Sequence, residues 1–159
     1  MKTLTALRYL LFIFLLPLLS CGDDDKPNPA PTTPHVVSVR VFGSELSGLG
    51  AELQITSRLV SGGQTQEGPN VSDKYTDAID KTYSVGTFSN SDVVTVTIAF
   101  KNVTRTSTTR PGLSSGLAAT ILVDGRPQAP IVLDTKGIGS GVRYEPYLVG
   151  TTAVQMDQL

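Results

Sequence analysis

Apolar residues recur at every second position along most of this chain. Val37, Val39 and Val41 alternate with Ser38 and Arg40, and Ala51, Leu53, Ile55 and Leu59 share a face opposite Glu52, Gln54, Thr56 and Arg58. A period of two sends successive side chains to opposite faces of a strand, so each run needs one dry side and one wet side. Gly62-Gly63 ends the second run as a turn, where glycine accepts positive φ. Thr82 to Phe88 resumes β character, with Tyr83, Val85 and Phe88 available to a core. After a turn at Asn90-Ser91-Asp92, Val94, Val96, Ile98 and Phe100 alternate with Val93, Thr95, Thr97 and Ala99. This is the strongest strand by β-branched content, and its second face is apolar enough to predict a central position.

The later part continues in the same register. Leu117 to Val123 predicts a strand, and Asp124-Gly125 between apolar runs is a hairpin signal. Ile131 and Leu133 lie on the return arm, where Pro127 and Pro130 predict an edge or a bulge. Val142 to Val149 and Thr152 to Met156 supply the last strands after the Gly137-Ile138-Gly139-Ser140-Gly141 break. Two stretches lack the pattern: 68 to 80, read as a loop with at most one short strand, and 101 to 116, read as a long loop of the kind that carries function when ordered. About seven to eight short strands and no helix after the leader predict an all-β fold, an immunoglobulin-like antiparallel β-sandwich.

The N-terminus breaks the alternation. Lys2 and Arg8 precede an apolar run from Leu10 to Leu19, which ends in Leu18-Leu19-Ser20-Cys21. The run is about half the roughly 20 residues a membrane span needs, and Pro17 interrupts it, so it reads as a secretory signal. Its ending resembles the lipobox of bacterial lipoproteins. That resemblance implies that residues 1 to 20 are removed and that Cys21, the only cysteine, is lipidated and becomes the first mature residue. The expected location is then the bacterial cell envelope, as an outer-membrane lipoprotein. Residues 21 to 35 hold Asp23-Asp24-Asp25 and then Pro27, Pro29, Pro31 and Pro34, a polar tether favouring polyproline II. The acidic triplet resembles the run that follows the lipidated cysteine in surface-exported lipoproteins of Bacteroidota. Residues 36 to 159 make one domain, long enough for a single core without disulfides.

Charge removes several function classes. Loss of residues 1 to 20 takes Lys2 and Arg8 from the 13 basic residues, leaving 11 against 14 acidic and a net charge of −3, which the triplet at 23 to 25 accounts for. The domain is near neutral, so it lacks the basic footprint of a nucleic-acid binder.

The run from Gly116 through Leu117-Ala118-Ala119-Thr120-Ile121-Leu122-Val123-Asp124-Gly125, the glycine-rich break and Val142-Arg143-Tyr144 together resemble the end of the small β-sandwich domain of the mycobacterial membrane protein small family. Val39 to Gly43, Ala51 to Thr56 and Gly62-Gly63 fall in the order of that family's first two strands and turn. The chain departs from the pattern in the long 101 to 116 stretch, the acidic 68 to 80 segment, the tail after Gly150 and a lipid in place of a transmembrane anchor. The resemblance implies an immunoglobulin-like envelope domain, an accessory to a transporter, and it carries over no catalytic residue.

The residues themselves offer little chemistry. The only histidine, His35, stands at the end of the tether and reads as a solvated linker residue. Cys21 is consumed by lipid, no Gly-x-Ser-x-Gly elbow precedes a helix, and Gly137-x-Gly139-x-Gly141 lacks the strand-to-helix setting of a phosphate cradle. No enzyme activity is expected. Asp73, Asp77 and Asp80, with Asn70 and backbone carbonyls, are the candidate oxygen ligands for Ca²⁺, although their spacing is not that of an EF-hand and loop aspartates commonly bond their own backbone. No other cofactor is expected besides the covalent lipid. For a glycan, Tyr75, Tyr144 and Tyr147 are the candidate exposed rings; there is no Trp, and the core needs several of Phe42, Tyr83, Phe88 and Phe100. Two functions follow as expectations: a non-catalytic, membrane-anchored domain that contacts another envelope protein through sheet edges or the 101 to 116 loop, or a glycan- or small-ligand-binding module at the cell surface.

Overall fold

The computed structural model describes residues 33–89, 91–135 and 141–159. The signal segment 1–20, Cys21, most of the 21–35 tether, Asn90 and residues 137–140 of the glycine break lie outside them.

Among the described residues the chain forms ten strands: β1 (His35–Ser44), β2 (Ala51–Ser61), β3 (Gln64–Glu67), β4 (Val71–Tyr75), β5 (Ile79–Phe88), β6 (Val93–Thr104), β7 (Gly116–Val123), β8 (Arg126–Leu133), β9 (Val142–Tyr144) and β10 (Tyr147–Gln155). A 3₁₀ turn, Met156–Gln158, follows. They build two antiparallel sheets in a sandwich-like arrangement. The four-stranded sheet runs β5-β1-β7-β8; the six-stranded one runs β3-β2-β6-β10-β9, with β4 also on β2.

Alternation explains the core. Val37, Val39 and Val41 of β1, Leu117, Ala119 and Ile121 of β7, and Ile131 and Leu133 of β8 are buried on one sheet. Leu53 and Ile55 of β2, Val94, Val96, Ile98 and Phe100 of β6, and Leu148 and Val154 of β10 are buried on the other, and all belong to one cluster. β6 lies between β2 and β10, the central position its sequence predicts. Where β8 meets β10 the sheets approach closely: a Cβ on Gly150 would stand 2.8 Å from Ile131 Cγ1 and 3.2 Å from Leu133 Cδ2, so no side chain fits there.

The turns follow from local chemistry. Gly62 and Gly63 have φ of 58° and 77°, and Asp124 and Gly125 have 51° and 76°. Positive φ at both central residues is the type I′ hairpin turn, whose twist matches its flanking strands. Asp124 also fastens the start of β1: Oδ1 accepts from the Val36 N–H at 2.9 Å, and Oδ2 lies 2.7 Å from His35 Nδ1. His35 therefore opens β1 and pairs with Asp124, instead of standing free in a linker.

Four boundaries differ from expectation. The segment 68 to 80 contains all of β4 and the start of β5, and β3 precedes it. β3 and β4 share one edge of β2, β3 on Arg58–Ser61 and β4 on Ala51–Ile55, separated by Gly68-Pro69-Asn70. There the Gly68 N–H donates to the Ser57 carbonyl at 2.9 Å, and Ser57 Oγ donates to the Pro69 carbonyl at 2.7 Å. β6 continues to Thr104, which leaves 105–115 as the loop, and Arg110 Nη1 ties that loop by donating to the carbonyls of Thr104, Ser107 and Thr109. The final break falls at Glu145-Pro146, and Gly150 lies inside β10.

Candidate functional site

Neither the tyrosine set nor the aspartate set forms the site expected of it. Tyr75 ends β4 with its ring in the core, only 8% exposed, so it is no surface platform. Its hydroxyl lies 2.6 Å from that of Tyr83, which donates to Asp73 Oδ2 at 2.5 Å; Lys81 Nζ is 3.2 Å from the same oxygen. Because β4 belongs to one sheet and β5 to the other, this chain of side chains clasps the two sheets along one side of the molecule. Burial, with the Tyr83 hydrogen bond behind it, pushes the Tyr75 hydroxyl far above its ordinary value. Burial also raises Tyr83, and the Tyr83 hydrogen bond holds the Asp73 carboxyl below the usual range.

The aspartates are engaged separately. Asp73 belongs to the clasp; Asp80 accepts both Nε and Nη2 of Arg40, at 3.2 and 3.0 Å; Asp77 accepts from Thr76 Oγ1 at 3.0 Å. The Arg40 hydrogen bonds lower the Asp80 carboxyl. Among the described residues no group of three or more His, Cys, Asp or Glu is placed to hold a metal ion.

What remains for recognition is the pair of outward sheet faces. On the six-stranded sheet, Ser72, Gln54, Thr97 and Thr151 stand side by side across four strands, and Lys74, Glu52, Ala99 and Val149 form the adjacent row. Glu52 is held between Lys74 Nζ at 3.3 Å and Lys101 Nζ at 3.5 Å. Lys101 Nζ also lies 3.8 Å from the centroid of the Tyr147 ring and donates to its hydroxyl. That hydrogen bond, with Glu52 nearby, raises the ammonium above its ordinary value. A cleft of 160 Å³ lies here, lined by Glu52, Gln54, Ser72, Thr97, Ala99, Lys101 and Tyr147. Tyr147 is half-buried with an ammonium on its face, and Tyr144 is half-buried and packs against the core. Ala99 and Val149, although on the outward side, are buried.

The four-stranded sheet presents different chemistry. Asp80, Phe42, Ala118 and Val132 form one row across all four strands, and Thr82, Arg40, Thr120 and Pro130 form the next. Phe42 is 55% exposed and Val132 49%, with Val36 exposed nearer the start of β1. The bidentate Arg40–Asp80 pair flanks Phe42 on the β5 side. Leu113, 98% exposed, tips the β6–β7 loop, which Ser44 Oγ ties to the end of β1 by donating to the Ser114 carbonyl at 2.7 Å. By composition alone Phe42 falls in the shared pool of core aromatics. The signal that finds it is parity: an even-numbered residue of β1 shares the outward side with Ser38 and Arg40.

No family model matches the chain, and no curated protein matches it.

Proposed function

We propose that this chain is a non-catalytic, lipid-anchored envelope protein whose immunoglobulin-like sandwich contacts another protein through the outer face of its four-stranded sheet. The observation that carries the reading is the registered row of Phe42, Ala118 and Val132, two of whose side chains are large, apolar and open to solvent. An aromatic anchor beside an arginine, with polar residues around both, is the composition of a protein-contact patch. A lipid at Cys21 would hold this face at the membrane surface, and the resemblance of the domain to the mycobacterial membrane protein small family makes a transporter the natural setting for the partner.

A photo-crosslinking residue at position 42 of the full chain, compared with one at position 97, tests the reading in intact cells. Adducts from position 42 and none from position 97 are expected; adducts from 97 alone would reverse the assignment of the faces.

A second reading rests on the 160 Å³ cleft, where a carboxylate, an amide and two hydroxyls line a space beside Tyr147. Those groups suit the hydroxyls of a sugar residue. The ammonium on the Tyr147 ring occupies the surface that sugar stacking would need, which places this reading second. Absence of binding across a glycan array would exclude it.

A further inference from the structure

We infer that the cleft at the break between β3 and β4 binds a small zwitterionic amino acid, with Arg58 on its carboxylate and Glu67 on its ammonium. This site is separate from the contact face assigned to the four-stranded sheet and from the cleft beside Tyr147.

The break shapes the cleft. β3 covers Arg58–Ser61 of β2 and β4 covers Ala51–Ile55, so Thr56 and Ser57 lie beside the Gly68-Pro69-Asn70 segment that joins them. Two hydrogen bonds hold that segment against Ser57, and a Cβ on Gly68 would stand 2.5 Å from Ser57 Oγ, so a larger residue does not fit. The outward side of the sheet carries here a cleft of 540 Å³. Small-ligand sites commonly enclose about 300–1,000 Å³. Glu67, Arg58 and Val93 form one row across three strands, and Thr56 and Thr95 stand together in the next. Asn70, which leads into β4, completes the lining.

Charge selects the ligand. Arg58 and Glu67 are opposite each other in register, a spacing at which unlike charges readily pair. Neither side chain has an ion-pair or hydrogen-bond partner among the described residues, and both line the cleft. Closing an exposed pair gains little free energy, so both charged heads stay available to a ligand. A simple anion would meet the Glu67 carboxylate, and a simple cation would meet the Arg58 guanidinium. A molecule with both charges a few atoms apart satisfies the two together, its carboxylate in the guanidinium fork. A neutral sugar finds no aromatic ring in this cleft, whose apolar surface comes from Val93. The volume leaves room for the amino acid's own side chain, and the Thr56 and Thr95 hydroxyls with the Asn70 amide suit a polar one.

The purified full chain, titrated by calorimetry with each common amino acid at millimolar concentration, tests the inference. Saturable binding of serine, threonine, asparagine or glutamine is expected. The N-acetyl form of the binder, which lacks the ammonium, and its amide, which lacks the carboxylate, should each bind about tenfold or more weakly. Arg58→Gln and Glu67→Gln should each weaken binding to the same degree with an unchanged melting temperature, since both positions are exposed. Combining Glu67→Arg with Arg58→Glu should recover binding that Arg58→Glu alone removes, because a zwitterion can reverse its orientation. Absence of saturable binding by every amino acid would overturn the inference, and so would equal binding of the N-acetyl form, which would show that the anion alone is read. Either result leaves the contact face at Phe42 in place.

Discussion

The two sheets share one core and face solvent with opposite chemistry. Over much of the six-stranded sheet, the outward side chains satisfy one another: Glu52 is bracketed by two lysines, Lys101 covers Tyr147, and Thr97 Oγ1 lies 3.2 Å from Thr151 Oγ1. Its outward apolar pair, Ala99 and Val149, is already buried. The four-stranded sheet leaves Phe42 and Val132 in water. A solvated sheet face normally carries polar residues, so Phe42 and Val132 stand out in a row and face that also hold Asp80, Arg40, Thr82 and Thr120. The backbone ladder is the same on both sides, and the two faces differ only in the side chains that their outward positions present.

If inward positions carry stability and outward ones carry contact, two phenylalanines on adjoining parities should behave differently. Phe100 is fully buried, and Phe100→Ala is expected to lower unfolding free energy by about 3–5 kcal/mol. Phe42→Ala should lie within about 0.5 kcal/mol of the parent, as at other exposed positions. Urea titration of both variants checks the pair, and a large loss at Phe42 would place it in the core after all. Asp92 provides the next largest effect. It is buried in the β5–β6 turn, where Oδ1 accepts from the Val60 N–H at 2.7 Å and Oδ2 from the Ser89 N–H at 2.8 Å. Asp92→Ala strands both donors and should cost about 1–3 kcal/mol by the same measurement.

Smaller effects separate the side clasp from the faces. Tyr83→Phe removes the hydrogen bonds to both Asp73 and Tyr75, and a loss of about 1 kcal/mol is expected with no change in contact through Phe42. Acid should weaken the fold slightly. The carboxyls of Asp73, Asp80 and Asp124 all lie below their ordinary value in the folded chain, held there chiefly by Tyr83, Arg40 and His35. A depressed carboxyl contributes stability above its unfolded pKa of about 3.9 and loses it as pH falls through the folded value. Urea midpoints should thus decline as pH drops below about 4, and Asp73→Asn should flatten that decline. Lys101→Met on the six-stranded sheet should change stability least, by less than about 1 kcal/mol, since its partner Glu52 keeps Lys74.

The sequence disclosed most where side chains face a dry core. The period-two runs of β1, β2, β6 and β7 and the Asp124-Gly125 turn were legible because burial and positive φ restrict residue type directly. β3 was hidden because an edge strand with one neighbour can be polar on both sides; Gln64–Glu67 is exposed throughout. Within β4 the signal was faint: Val71 and Tyr75 share a parity and turn inward, but Asp73 between them disguises the alternation. The bond between Asp73 and Tyr83 crosses from one sheet to the other, and no local pattern encodes it. The row of Phe42, Ala118 and Val132 was half legible, since parity places Phe42 outward, whereas its alignment with the other two exists only once three strands are in register.

The most direct test compares solvent access to the two faces in place. Val132→Cys and Gln54→Cys would each be introduced into the full chain and labelled with a maleimide in the intact envelope and after purification at high dilution. Position 132 is expected to react several-fold more slowly in the envelope than in the diluted protein, while position 54 reacts equally in both. Equal reactivity at 132 under the two conditions, or protection at 54 alone, would contradict it.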